Sequence, residues 1–284
     1  MIQVLANGLI SASVICLMAA ALYPIWLTRG VFHFAHAAIF AIAPYLVYAI
    51  GHAGGARFGA GILVGISTAA LIGVIIDEAV YRSLDRKNPS TIVYFIASMG
   101  LSTVGINLLG LIFGDESRSY RFWDGETSYR FIGDVRLSLA QITIFGTANL
   151  MAFGMWAVLY WTTFGLDLRA ISADPGLARA AGIDVDGVNR KAAAFGAGMA
   201  GAAGVLTACD TDMVPTMGLY PLMIGLVATI IGRNRFEIVI VSAVTFGAIR
   251  NIGPLIVPTQ WQDSVVFASM ILGLWCATPL KMRA

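Results

Sequence analysis

The sequence predicts an all-α, polytopic membrane protein of about eight to nine transmembrane or re-entrant helices, and three observations predict it. Of 284 residues, 58% are hydrophobic and only 12% charged, with mean hydropathy +0.80, whereas soluble domains carry roughly 25% charge. Apolar runs near the ~20 residues that cross a bilayer recur along the whole chain, bounded by charges or by Gly and Pro. The basic residues sort unevenly between alternate connections. A globule of this length has too little interior for so many apolar side chains, so lipid is the expected solvent.

In order, the runs cover residues 4–27, 32–50, 59–76, 91–113, 139–161, 191–209, 219–232, 236–257 and 265–280. The first is too long for a signal-peptide core and no Lys or Arg precedes it, so it reads as a retained membrane helix. Between the first and second lie only Thr28 to Val31, with Pro24, Gly30, His33 and His36 at the edges, which suits a broken or re-entrant helix. The seventh holds fourteen residues and either thins the bilayer or stops short of a full crossing. Eight crossings with one partial segment, or nine crossings, both satisfy the pattern. The whole chain, 1–284, reads as a single transmembrane domain.

With the 82–90 connection placed inside, twelve basic residues fall inside (Arg29, Arg82, Arg86, Lys87, Arg169, Arg179, Arg190, Lys191, Arg233, Arg235, Lys281, Arg283). Six fall outside (Arg57, Arg118, Arg121, Arg130, Arg136, Arg250), while the acidic residues divide eight and eight. This is the positive-inside bias, and it puts the C-terminus in the cytoplasm. The small net charge of +2 and the lack of a basic block with interleaved aromatics exclude a nucleic-acid partner. Cys16, Cys209 and Cys276, odd in number and far apart, suggest apolar thiols and neither a disulfide framework nor a metal cluster.

Two connections are long enough for structure of their own. The outer one, 114–138, carries Tyr120, Phe122, Trp123, Tyr129 and Phe131, which suit an interfacial aromatic belt or a docking surface for an external partner. The inner one, 162–191, contains two stretches of good helix propensity, 166–173 and 176–181, parted by Asp174 and Pro175. Asp174 suits the N-cap of the second, Gly182 can end it in a left-handed conformation, and Ile183 returns to apolar cover. Beyond it, Ala192, Gly196, Ala200, Gly204 and Ala208 fall every fourth residue and predict a smooth face for close helix packing in lipid. Gly61 with Gly65, and Gly110 with Gly114, give weaker versions of that signal.

For a solute path the candidates are residues 32–38, with Phe32, His33, Phe34 and His36, supported by Ser98, Ser102 and Asn107 on the fourth run and Thr229 on the seventh. Polar groups inside apolar runs are costly unless paired or functional, although each could equally bond helix to helix. A narrow, weakly polar path of this kind suits small neutral or zwitterionic solutes. An ion-coupled carrier would want Asp, Glu or Lys at membrane depth, yet Asp77, Glu78, Asp210, Asp212 and Glu237 all sit at segment edges. A metalloenzyme built on His33 and His36 lacks a third ligand, since His52 lies at the far end of the second run. No G-x-x-x-x-G-K-[ST] phosphate loop occurs, so no ATPase site of that kind, and no cofactor, is expected on this chain.

Three blocks carry a family resemblance: RGVFHFAHAAIFAIAPYL, EAVYRSLDRKNPSTIVYFIASMGLSTVGIN and, most specific, LRAISADPGLARAAGIDVDGVNRKAAAFGAGMAGAAGVL. Together they make the chain similar to the permease subunits of bacterial branched-chain amino acid ABC importers, a family that also holds urea and amide permeases. The resemblance implies a multi-pass protein of the bacterial inner membrane that is itself no enzyme. It implies two cytoplasmic ATP-binding subunits that carry ATP and Mg, a second permease subunit, identical or homologous, and a periplasmic solute-binding protein. It also implies that the inner-loop helix docks on the ATPase, through Arg169, Asp174, Pro175, Leu177, Ala178, Ala181, Gly182 and Ile183. The solute is expected to be a branched-chain or other apolar amino acid, urea, an amide or an aromatic acid. Two departures stand out. His33 and Ala37 replace the family's Asn and Gly in Asn-Phe-Ala-His-Gly, and Arg233-Asn234-Arg235 follows Gly232 where the family tends to Gly-Gly-Ile/Met-Gly.

Overall fold

The computed structural model describes residues 2–51, 56–87, 90–120, 128–130, 136–253 and 258–277. Among these described residues nine long helices correspond to the nine apolar runs: α1 (Ile2–Arg29), α2 (His36–Gly51), α3 (Ala56–Ile76), α5 (Thr91–Phe113), α6 (Leu139–Trp161), α9 (Val185–Ala208), α10 (Leu219–Gly232), α11 (Phe236–Ile252) and α12 (Gln262–Ala277). Shorter α4 (Arg82–Asp85), α7 (Thr163–Ala173) and α8 (Pro175–Ala180) gather at one end of the bundle. At the other end a two-stranded antiparallel ribbon, β1 (Ser128–Arg130) with β2 (Arg136–Ser138), leads into α6. Phe122, Trp123 and Phe131 of the expected aromatic belt, the side chain of Tyr129, His52, and the C-terminal residues 278–284 lie outside the described residues.

Local chemistry sets the boundaries. Ser138 and Gln141 form a capping box at the start of α6. Asp184 accepts from the Gly187 amide to begin α9, and Gly114, at φ +81°, ends α5. Among the described residues, four stretches are long and apolar enough to cross a membrane unaided: Gln3–Arg29, Ala56–Asp85, Thr91–Phe113 and Leu139–Trp161. Helices α2 and α10 are shorter and adjoin non-helical chain at 30–35 and 209–218. Irregular backbone is tolerated at such depth only where protein covers it. Here Val31, His33, Ala35 and Met213 are all buried, and α10 starts where a Cβ on Gly218 would meet the Ala37 carbonyl at 2.2 Å.

Helix α1 is the axis of the fold, packed against α6, α9, α10 and α11. Nearly all of its residues from Ala12 to Ile25 are buried, which explains an apolar character on every side. Around it α9 lays its small residues against three neighbours. Ala192, Gly196, Ala200, Gly204 and Ala208 are all buried. A Cβ at Gly196 would lie 2.5 Å from the Ala21 carbonyl oxygen, and one at Gly204 only 1.8 Å from that of Phe40. The expected close packing is therefore backbone to backbone, against α1 and α2. Gly61 and Gly65 do the same against Val47 and Ala43 of α2. Gly110 and Gly114 do not: Gly110 faces the Asp115 side chain and Gly114 turns the chain, so this pair forms the end of α5 and no helix seam.

The third run is longer than its apolar stretch. A π-helical turn, Asp77–Tyr81, carries α3 without interruption into α4. The resulting thirty residues, Ala56–Asp85, measure about 45 Å at 1.5 Å per residue, longer than the ~30 Å hydrocarbon core. The last turns therefore extend beyond the apolar stretch that ends at Ile76. Such π turns concentrate at functional sites.

Candidate functional site

The break between α1 and α2 is the first component. Gly30, at φ +63°, closes α1 by donating to the Trp26 carbonyl at 2.9 Å, and α2 begins six residues later at His36. Ser98 of α5 fixes this loop. Its hydroxyl lies 2.9 Å from the Phe32 carbonyl and accepts from the Phe34 amide at 3.2 Å. Phe32 and Phe34 pack their rings against Phe95, one turn earlier on α5. His33 and His36 are both buried, with Nδ1 atoms 2.9 Å apart. That distance requires one ring to donate and the other to accept, so the pair shares one Nδ1 proton. His33 also meets the Tyr81 ring edge-on at 5.0 Å between centroids.

Tyr81 connects the loop to an ionic cluster that sequence reading did not pair. Arg29, the last residue of α1, reaches Asp77 at 2.6 Å, with both side chains at least nine-tenths buried, and also Asp85. Its guanidinium lies over the Tyr81 ring at 5.5 Å, and Tyr94 donates its hydroxyl proton to Asp85. Removing one partner from a buried pair of this kind costs about 3–5 kcal/mol, because the other charge stays behind unpaired. A second set continues outward: Glu78 pairs with Arg82 at 2.7 Å and Arg190 at 3.3 Å, and Asp186 with Arg82 at 3.4 Å and Arg179 at 3.7 Å. These outer pairs are more exposed, so solvent screens them and they contribute little to stability. Their geometry matters more, since they join the π turn of α3 to α8 and the start of α9.

Helix α8 sits on this rim. Asp174 accepts from the Gly176 and Leu177 amides at 2.8 and 2.9 Å, with Pro175 as the first helical residue. At the other end Gly182, at φ +90°, donates to the Arg179 carbonyl and Ile183 to that of Ala178, both at 3.1 Å, which is a Schellman closure. Both predicted caps are present, and a helix of six residues is thereby held at both ends. Ala178 faces inward, whereas Leu177 is 69% exposed, with Pro175 and Ala181 beside it. Between α8, α4 and the end of α1 lies a cleft of about 470 Å³, lined by Arg29, Arg82, Asp85, Tyr94, Arg179 and Asn189 among others.

Of the predicted path residues, the structure gathers Phe32, His33, Phe34, His36 and Ser98. Ser102 is buried one turn further along α5, and its hydroxyl has no hydrogen-bond partner among the described residues. Thr229 is buried inside α10 and donates to the Gly225 carbonyl at 2.7 Å. Asn107 stands apart. It is exposed on α5 and bonds only along its own helix, to the Thr103 carbonyl at 2.8 Å. The buried positions Ser98, Ser102 and Leu109, with Gly105 against Ala38, mark the protein-facing side of α5, and Asn107 points the other way. Arg169 is likewise engaged within the chain, donating to the Leu159 carbonyl at 3.0 Å and lying 5.2 Å over the Tyr160 ring. It braces α7 against the end of α6.

Comparison with known proteins gives this arrangement a family. A family model described as branched-chain amino acid transport system / permease component matches residues 4–274. The probable branched-chain amino acid transport permease protein LivH of Methanocaldococcus jannaschii is 25% identical over 82% of this chain and 74% of its own length. The high-affinity branched-chain amino acid transport system permease protein LivH of Salmonella typhimurium is 25% identical over 96% and 92%. The corresponding protein BraD of Pseudomonas aeruginosa is 23% identical over 96% and 92%. Among solved structures, PsaBC from Streptococcus pneumoniae in complex with Fab shares the fold, with TM-score 0.52 and 18% identity over 95% of this chain and 89% of that one. The chain is thus a multi-pass membrane protein, and on a match that runs from α1 into α12 it belongs to the branched-chain amino acid transport system permease component family.

Proposed function

We propose that this chain is the membrane-spanning subunit of an ATP-driven importer that carries a small apolar amino acid into the cytoplasm. ATP and Mg are held and turned over by two partner subunits, a second permease subunit completes the membrane unit, and an external binding protein delivers the solute. The end of the bundle with Arg29, α4, α7 and α8 faces the cytoplasm, as the excess of Lys and Arg in its connections supports. Family membership and the names of the relatives support the solute class.

The observation that carries this reading is α8. A helix capped at both ends, with an exposed leucine at its tip and ion pairs behind it, is built to receive force from a partner. Displacement of α8 would pass through Arg179, Asp186 and Arg82 to the π turn of α3. From there Asp77 touches Arg29, where the loop that opens the path begins, and Tyr81 touches His33 within it. Asn107, exposed on α5, is then available to a second permease subunit or to the solute between two subunits.

Two substitutions test this assignment. Leu177→Asp should leave membrane insertion intact and remove the ATPase from the complex recovered through this chain. Gly182→Val places a β-branched residue at φ +90° and should leave the complex assembled while uncoupling transport from ATP turnover. Normal recovery in the first and normal transport in the second would contradict the role given to α8.

A further inference from the structure

Between α6 and α9, in the half of the bundle nearest α7 and α8, the surface is hollowed by a groove of about 390 Å³ that no predicted path residue touches. Its walls carry no polar side chain. Met151, Met155 and Val158 come from α6, Phe195 and Met199 from α9, and Ile66 from α3. The packing explains the opening: α3 lies close along α9, whereas α6 is held chiefly by α1 and touches α9 lightly, so the floor between them stays uncovered.

Two glycines widen it. A Cβ on Gly154 would meet nothing within 4 Å, and one on Gly198 would make only ordinary contacts, with Ala70 Cβ at 3.6 Å and Ile66 Cγ2 at 3.8 Å. Gly196 and Gly204 of the same helix are instead pressed against neighbouring backbone. Glycine weakens a helix relative to alanine, and at Gly154 and Gly198 no close helix seam offsets that loss.

The groove also has a charged end. Residues 191, 195 and 198 share one face of α9, so Lys191 stands one turn beyond Phe195 on the side of α8. Helical side chains lean towards the N-terminus, which carries the Lys191 ammonium further out along that line. On α6 the face of Gly154 and Val158 continues to Trp161, the last helical residue, which is 71% exposed. Arg190 is engaged by Glu78, whereas Lys191 is exposed and makes no ion pair among the described residues. An exposed indole and an unpaired ammonium at the end of an apolar groove are the chemistry of the lipid headgroup level.

We propose that this groove is a binding site for one anionic phospholipid of the leaflet on the α8 side. An acyl chain lies over Gly154 and Gly198 against the three methionines, whose flexible thioethers adapt to an irregular chain. Lys191 receives the phosphate, and Trp161 marks the boundary between tail and headgroup. The volume of about 390 Å³ is more than twice the ~150 Å³ cavity that accommodates benzene, so a stretch of acyl chain fits. A partner helix would cover the same walls but leave Lys191 without a counter-charge. Only the naming of the leaflet as cytoplasmic rests on the proposed orientation of the chain; the site itself does not.

Native mass spectrometry of the purified full chain in detergent, titrated with palmitoyl-oleoyl phosphatidylglycerol, tests the site. Wild type is expected to hold one phosphatidylglycerol more tightly than any further ones, and more tightly than phosphatidylcholine with the same chains. Lys191→Gln should weaken that first site about fivefold, as loss of one basic residue at an anionic surface does, and bring it level with phosphatidylcholine. Gly154→Leu places a side chain where nothing obstructs it, so it should keep the wild-type melting midpoint without added lipid while losing the tight phosphatidylglycerol. Lys191→Gln, at an exposed position, carries the test alone if Gly154→Leu does not fold. Wild type with no distinct first site, or a folded variant that binds phosphatidylglycerol as wild type does, would overturn the proposal. So would release of the phosphatidylglycerol on assembly with the partner subunits, which would make the groove a docking face for a helix. Neither ATP nor solute enters these measurements, so their failure leaves the importer reading standing, and failure of ATP-driven uptake leaves the lipid site standing.

Discussion

Arg233 shows how much one residue reveals. It follows the last residue of α10 with φ 50° and ψ −109°, the one non-glycine residue with positive φ among the described residues. The resemblance had marked this turn as a place where the family tends to glycine, and the backbone explains why glycine would be at ease there. A side chain held in such a region costs about 1–3 kcal/mol. Arg233→Gly should therefore raise thermal stability, with a melting midpoint several degrees higher in detergent or nanodiscs. An unchanged or lower midpoint would mean that contacts of the arginine outweigh its strain. Features of this local kind were open to sequence reading: the Asp174 cap, the Gly182 turn and the Ala/Gly spacing of α9 each need only a few neighbouring residues. The Arg29–Asp77 pair was not, because its members are 48 residues apart and nothing in either segment names the other.

For whole elements, the nine apolar runs became nine helices because run length and bounding charges decide where a membrane helix begins and ends. Rotation about the helix axis is a different matter. Helix α5 is apolar on all sides, so its sequence carries no contrast to say which side meets protein, and Asn107 was grouped with Ser98 and Ser102 although it faces away. The third run was cut at Ile76 because charge begins at Asp77, whereas the helix continues and buries that charge against α1. Close packing of α9 is the element-scale claim most open to test. Ala200 is fully buried on the face that meets neighbouring backbones. Ala200→Leu should destabilise by about 1–3 kcal/mol or more through overpacking, seen as a lower melting midpoint and reduced recovery of partner subunits. Wild-type values for both would refute backbone-to-backbone packing along α9.

Across the whole molecule, the two ends of the bundle are built differently. One end holds the buried Arg29–Asp77 pair, the ion pairs of Arg82, Arg179 and Arg190, and a stiff surface helix. At the other, the chain is tied down by backbone bonds between Arg118 and Met213, by Ser117 to Asp212, and by the Tyr120 hydroxyl to the Pro44 carbonyl. The first arrangement suits transmission of movement from a partner, and the second suits a surface that receives solute. Asp77, just past the apolar stretch that ends at Ile76, is paired with Arg29 and so is not free to carry an ion; the proposed function takes its energy from a bound subunit instead of from an ion crossing the bilayer. Uptake of labelled leucine into sealed vesicles separates these two sources of energy most directly, with this chain present either alone or with its partner subunits. The account predicts uptake only with the partners and ATP on the side of α8, and none from a sodium or proton gradient. Uptake by the chain alone on such a gradient, with no nucleotide present, would contradict it.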